Sequence, residues 1–153
     1  MRKMYIILVI VALLAMSGCD VPKDVYETKG NIEKSAVLPV GVWYSYDALV
    51  WEDGYLPDAL RPLFFGEVAA DYPWVLYLGT DDDVFGELLF AVCHTEYEAR
   101  ELAETLLERL TSVRKNAEGL YSVSLESAAV ERHGKSVLYT AVPDNESVLK
   151  LFS

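Results

Sequence analysis

Apolar and polar residues fall into long blocks along this chain, and the blocks predict its main divisions. An uncharged apolar run, Ile6–Met16, follows a basic pair near the start of the chain. The run fits the roughly 7–15 residues of an export signal and is shorter than the ~20 of a membrane-spanning helix, so residues 1–18 are predicted to be a signal peptide. Residues 19–35 are mostly polar and include a proline and a glycine, which predicts a flexible tether. Residues 36–153 are predicted to form one globular domain.

From about residue 74 the pattern predicts a regular series of strands and helices. Trp74–Leu78 has the composition of a strand, and Glu87–His94 is an almost continuous apolar run, typical of a strand buried on both faces in the middle of a sheet. Thr95 and Glu98 match a capping box at the start of a long helix, which Gly119 is predicted to end. One apolar stripe runs along that helix, formed by Ala99, Leu102, Ala103, Leu106, Leu107, Leu110 and Val113.

The last part of the chain predicts a hairpin and a closing helix. Ser127–Arg132 and Ser136–Ala141 are expected to pair around a His-Gly turn. Asp144 is the expected N-cap of a helix over Asn145–Phe152. The order β-β-α-β-β-α predicts an α+β fold, a two-layer sandwich in which an antiparallel or mixed four-stranded sheet has its helices on one face.

The part of the domain that precedes residue 74 has weaker patterns and is predicted to be helical or irregular. Ala36–Trp43 is apolar but broken by a proline and a glycine, which favours an edge segment or a loop over a central strand. Asp47–Trp51 and Asp58–Phe65 are predicted to be two short helices, each with an aspartate at its N-cap. A proline within the second segment weakens the helical pattern there.

The end of the first apolar run carries a specific motif. Ala15-Met16-Ser17-Gly18-Cys19 resembles the lipobox of bacterial lipoproteins, in which the cysteine thiol receives a diacylglycerol and becomes the new N-terminus. Met16 stands where that motif usually has leucine. The resemblance implies lipidation of Cys19 and anchoring to the extracytoplasmic face of the cell membrane. The alternatives are an uncleaved membrane-spanning helix or an ordinary signal peptide with an incidental cysteine.

Composition narrows the possible partners. The 153-residue chain has a formal charge of −11, and loss of Arg2 and Lys3 with the signal would leave −13 on the exported part. A field this negative repels phosphate backbones, so the sequence argues against nucleic acid as a partner. It also repels anionic lipid, so the acyl chains would have to hold the protein on the membrane. With Cys19 lipidated, Cys93 is expected to be a buried free thiol.

The second half of the chain carries another resemblance. Two stretches, FGELLFAVCHTEYEARELAETLLERL and SAAVERHGKSVLYTAVPDNESVLKLF, are similar to a family of uncharacterised bacterial secreted proteins and lipoproteins, the domain of unknown function 4358. Glu87, Arg109, Gly134 and Tyr139 stand at matching places. Ser127-Ala128 departs from the Asn-Ala that the family often has before its third strand. The resemblance implies the fold and an envelope location and implies no activity.

No motif of a known catalytic or metal centre is present, and no metal or cofactor is expected. The chain lacks GxSxG, HExxH, Walker and CxxC patterns. Cys93 and His94 are adjacent, and neighbours on a strand point to opposite faces, so a nucleophile–base pair is disfavoured. Asp81-Asp82-Asp83 with Glu87 could in principle hold calcium, but the spacing differs from an EF-hand loop, and an exposed acidic turn is the simpler interpretation.

The sequence therefore favours a non-enzymatic, lipid-anchored module that binds another protein of the cell envelope. The alternative is a module that binds a small cell-wall glycan or peptide through an aromatic-rich region over residues 43–77. A hydrolase that uses Glu87 or His94 is a third hypothesis. The candidate binding residues are Trp43, Tyr44, Trp51, Tyr55 and Trp74, although packing in the core is the simpler explanation for most of the aromatics.

Overall fold

A computed structural model describes residues 23–153 of the chain. Within this range the chain forms a five-stranded antiparallel sheet in the order β1-β2-β3-β5-β4. The strands are β1 Gly41–Ser45, β2 Trp74–Gly79, β3 Glu87–Val92, β4 Ala129–His133 and β5 Ser136–Ala141. The helices are α1 Val25–Ser35, α2 Arg61–Phe65, α3 Glu96–Asn116, α4 Ser122–Leu125 and α5 Asn145–Phe152.

The sheet has one more strand than the four predicted. Gly41 to Ser45 pairs with Gly79 to Val75, so β1 extends the sheet beyond β2 as an edge strand. The break at Pro39 lies just before this strand, where the missing N–H removes no bond of the ladder. The prediction of an edge segment is confirmed. The predicted four-stranded sheet is wrong in leaving this segment out.

Helices cover both faces of the sheet, so the predicted two-layer arrangement is wrong. On one face, α2 and α3 pack with β-strand side chains such as Leu76 and Leu89. On the other, α1 and α5 pack with Val75, Leu88 and Phe90. Successive side chains of a strand point to opposite faces, so the continuous apolar run of β3 requires a cover on each side. The central position of β3 is confirmed, between β2 and β5.

The predicted tether is wrong for its last part, because α1 is a packed helix. Asp24 caps it by accepting hydrogen bonds from the N–H groups of Tyr26 and Glu27. Val25 and Ile32, two turns apart, are buried on the sheet. Two apolar positions in eleven residues give too weak a stripe to identify the helix from its pattern. Residues 19–22 of the predicted tether and the lipobox lie outside the described residues.

The two predicted short helices are only partly confirmed. Asp47–Trp51 forms turns instead of a helix. The second helix begins at Arg61, not at Asp58, and Pro62 lies in its first turn, where the missing N–H is tolerated. The side chain of Asp58 accepts a hydrogen bond from the Tyr55 hydroxyl and caps no helix.

The elements predicted for the second half of the domain are largely confirmed. Thr95 and Glu98 form the capping box of α3, and β4 and β5 form the hairpin with Gly134 at a φ of 56°. Asp144 caps α5. α3 ends at Asn116, before the predicted glycine, and the short helix α4 that follows was not expected. Arg114 holds α4 by donating to the backbone carbonyls of Leu125 and Ala128.

Candidate functional site

A cleft of about 280 Å³ opens at the end of the sheet where β2 ends and β3 begins. We call it the Glu87 cleft. Glu87 and Arg109 form its floor, and Asp81 and Asp82 of the β2–β3 turn lie at its mouth. Its apolar walls come from α2, the two strand ends and the turn, through Leu60, Leu63, Phe64, Leu78, Val84 and Phe85.

Glu87 is the first residue of β3 and its side chain is buried on the α3 side of the sheet. Arg109 of α3 donates to both carboxylate oxygens, through Nε at 3.2 Å and through Nη2. The buried hydroxyl of Tyr139 donates to Oε2 at 2.8 Å. Burial, followed by the charge of Glu87, raises the pKa of Tyr139, so this hydroxyl stays protonated and remains a donor. Glu87 is thus fully engaged and is poorly suited to act as a free acid or base.

Aromatic contacts hold the walls of the cleft in place. The Arg109 guanidinium lies 5.2 Å from the centroid of the Phe64 ring, a cation–π geometry. The rings of Phe85 and Tyr121 pack with centroids 5.8 Å apart. The Tyr121 hydroxyl donates to the carbonyl of Asp82, and Ser124 Oγ donates to that of Phe85. The β2–β3 turn is therefore tied to α4 and its flanking residues on the far side of the cleft.

The mouth of the cleft is negatively charged. Asp81 and Asp82 are exposed, while the single cation on the floor is paired with Glu87. The Asp83 N–H donates to Asp81 Oδ1 at 3.0 Å, which fits the predicted exposed acidic turn. Among residues 23–153, no three His, Cys, Asp or Glu side chains are arranged to hold a metal ion.

The five aromatic residues predicted as binding candidates do not form one surface. Trp74 is 0% exposed and belongs to the core, so its assignment to a binding surface is wrong. Trp43 packs on Tyr77 on one face of the sheet, and Tyr44 packs into the core on the other. Trp51 and Tyr55 lie in the loops after β1, and Trp51 is exposed. The core explanation therefore fits most of this aromatic cluster.

Cys93 and His94 do not form a reactive pair. Cys93 is a buried free cysteine, as expected. Burial, with a contribution from the charge of Glu98, raises the pKa of its thiol to about 12, so the nucleophilic thiolate is absent at neutral pH. The exposed imidazole of His94 packs edge-on near Tyr72, with ring centroids 6.3 Å apart.

Sequence reasoning did not identify the cleft, although it named the residues at its base. The residues alone suggest Glu87 only as a calcium ligand or a hydrolytic acid, and the second resemblance adds that it stands at a matching place. Three residues singled out by the resemblance, Glu87, Arg109 and Tyr139, meet in one hydrogen-bonded group, while Gly134 lies in the hairpin turn. A lone carboxylate at the start of an apolar central strand is the signal that could have suggested a buried ion pair.

Comparison with family models, with curated proteins and with solved structures finds no match to this chain. Both resemblances therefore stay predictions. No helix within residues 23–153 is long and apolar enough to cross a bilayer. The apolar run 6–16 and Cys19 lie outside the described residues.

Proposed function

We propose that this protein is a lipoprotein, anchored through Cys19 to the extracytoplasmic face of the cell membrane, whose domain binds another envelope protein at the Glu87 cleft. Its role is non-enzymatic. The observation that carries the proposal is the cleft itself, a concave and partly apolar site built on strand ends and braced by a buried ion pair. The lipobox resemblance supplies the anchor.

The position of α1 relative to the cleft supports this proposal. α1 begins beside the end of β1, where Tyr26 contacts Tyr46, and runs toward the β2–β3 end, where Val37 N–H bonds to Asp144. The cleft is at that second end, about one strand length, or roughly 20 Å, from the start of α1. A domain held by its N-terminus would present the cleft away from the bilayer.

The chemistry of the cleft suggests the kind of partner. The apolar walls suit an aliphatic or aromatic side chain, and the carboxylates of Asp81 and Asp82 at the mouth suit a neighbouring Lys or Arg. We therefore expect an extracytoplasmic segment in which an apolar anchor is flanked by basic residues. Binding of this kind weakens as salt screens the charges.

The anchor is tested with the Cys19→Ser variant. We expect the intact protein to incorporate radiolabelled palmitate and to fractionate with membranes, because two or three acyl chains give stable attachment. The variant should incorporate no label. A mature intact protein that begins at any residue other than Cys19 would contradict the anchor.

The cleft is tested with Leu63→Glu, which places a carboxylate on a wall residue that is already 43% exposed. The partner recovered with the intact protein should be lost, because the apolar contact of Leu63 is removed and a carboxylate is placed on the wall against which the partner's apolar side chain should pack. The matched control is Leu107→Glu on α3, at a residue that is 49% exposed and lies outside the cleft. Equal recovery with both variants would contradict the proposal.

The alternative, a module for a small wall glycan or peptide, uses the aromatic region 43–77. Phe64 lies in that region and lines the cleft, but none of the five predicted aromatic residues does. Millimolar wall fragments would raise the melting temperature of the protein if this alternative were correct, since a ligand that binds the folded state stabilises it.

A further inference from the structure

The loop between β1 and the core residue Leu56 carries an exposed apolar tip. Residues 46–53 leave the sheet and return where the Ser45 N–H bonds to the Gly54 carbonyl at 3.0 Å. Inside the loop, the Leu49 N–H bonds to the Glu52 side chain at 2.9 Å, and the Glu52 N–H bonds to the Leu49 carbonyl at 2.8 Å. The loop is therefore held in shape by its own hydrogen bonds.

Three consecutive apolar side chains project from this tip. Leu49 is 49% exposed, Val50 66% and Trp51 77%. No residue in the described range 23–153 buries any of the three, and each would lose unfavourable contact with water if it were buried. Single exposed apolar residues are common on protein surfaces, but a run of three that includes a tryptophan indicates a contact surface.

The tip belongs to the same end of the domain as the start of α1. The Tyr26 hydroxyl donates to the Asp47 carboxylate, and the rings of Tyr26 and Tyr46 are 6.5 Å apart. Cys19 precedes the N-cap Asp24 by five positions. A segment of that length spans at most about 18 Å, so a lipid on Cys19 would keep this end of the domain close to the bilayer.

We propose that the apolar tip, Leu49–Trp51, inserts into the interfacial region of the bilayer and orients the anchored domain with the Glu87 cleft facing away. This inference rests on the lipid anchor of the proposed function. Tryptophan and tyrosine favour the headgroup level, where an apolar ring and a polar group are both accommodated. Trp51 at the tip and Tyr26 and Tyr46 behind it match that layer.

The charges around the tip define which lipid it accepts. Asp47, Glu52 and Asp53 flank it, with Lys23 at the start of the described chain. These carboxylates are repelled by anionic headgroups, whose surface potential acts within a Debye length. The tip should therefore insert more readily into zwitterionic than into anionic bilayers. A protein partner with an apolar pocket and a basic rim is the competing occupant.

The test uses the full lipidated chain in phosphatidylcholine vesicles, with and without brominated acyl chains. Bromine near a tryptophan quenches its emission, so we expect quenching in the intact protein that disappears in Trp51→Phe. The two other tryptophans lie away from the tip, since Trp74 is buried and Trp43 packs on Tyr77 against the sheet. The matched control adds Leu120→Trp to the Trp51→Phe variant, at a residue that is 63% exposed and follows α3 at the cleft end. This tryptophan should remain unquenched.

An unlipidated chain that begins at Asp20, and so lacks both Cys19 and the apolar run 6–16, measures the contribution of the tip alone. Replacing Leu49, Val50 and Trp51 by serine should weaken its partitioning into phosphatidylcholine vesicles about tenfold, a change that corresponds to partial burial of three apolar side chains. Vesicles that contain phosphatidylglycerol should bind the unlipidated chain less well than neutral ones.

The outcomes separate this inference from the anchor. Mass spectrometry of the mature chain reports lipid on Cys19 directly, and its absence would overturn the anchor and the inference together. A lipidated chain whose Trp51 is unquenched would overturn only the inference. Protection of Trp51 by a co-purified protein instead of by lipid would also overturn it, in favour of the competing occupant.

Discussion

Glu87→Ala is expected to lower the free energy of unfolding by about 3 kcal/mol and the melting temperature by about 10 °C. The substitution leaves the Arg109 guanidinium and the Tyr139 hydroxyl without their shared acceptor. Removing one partner of a buried pair costs ~3–5 kcal/mol, because the other charge stays buried and unpaired. We expect the lower end of that range, since the Arg109 side chain is 21% exposed and water can partly solvate it.

Chemical unfolding followed by circular dichroism measures this loss. The matched control is Glu146→Ala, which breaks the exposed pair with Lys150 on α5 and should change the free energy of unfolding by less than about 0.5 kcal/mol. Equal effects of the two substitutions would mean that the Glu87 pair is not a buried bracing contact. The pair Glu87→Met with Arg109→Met should recover much of the loss, because apolar side chains of similar size can replace a buried ion pair.

This double substitution also separates support from recognition. If Glu87 and Arg109 only brace the walls of the cleft, the double variant should still capture the partner. If one of them contacts the partner directly, capture is lost while the fold remains stable. Pull-down and unfolding measured on the same preparation distinguish the two roles.

Asn145→Ala is expected to cost about 3 kcal/mol of stability through a different mechanism. Asn145 is 1% exposed. Its Oδ1 accepts from Thr140 Oγ1 and from the Val142 N–H, and its Nδ2 donates to Ser124. The substitution leaves several buried polar groups without partners, at ~1–3 kcal/mol each before water and relaxation recover part of the cost.

Hydrogen exchange gives this prediction a local readout. The Val142 N–H should exchange faster in the variant, because it loses its acceptor. Asn116→Ala, at an exposed asparagine at the end of α3, is the control and should stay within about 0.5 kcal/mol of the intact protein. A loss of stability at Asn145 no larger than that at Asn116 would show that the buried amide does not hold α5 to the segment before β4.

Local patterns predicted the elements that are specified by residues close together in the sequence. The capping box and apolar stripe of α3, the unbroken apolar run of β3 and the glycine turn between β4 and β5 were each recognised from neighbouring residues. These elements form because their own residues supply the caps and the hydrophobic periodicity, so the rest of the fold has little influence on them. The weak patterns of α1 and β1 predict a tether and an edge segment that the four-stranded sheet leaves out, because the partners of both elements are distant in the sequence.

Composition and periodicity were enough to predict the acidic character of the protein, its α+β class, the central strand and the long helix, because both follow directly from the order of residues. The folded structure was needed to show that helices cover both faces of the sheet, that Trp74 lies in the core, and that Glu87 meets Arg109 and Tyr139 below a cleft. Those arrangements depend on which distant residues come into contact. Contacts between distant residues depend on the packing of the whole domain, and they leave no local pattern in the sequence.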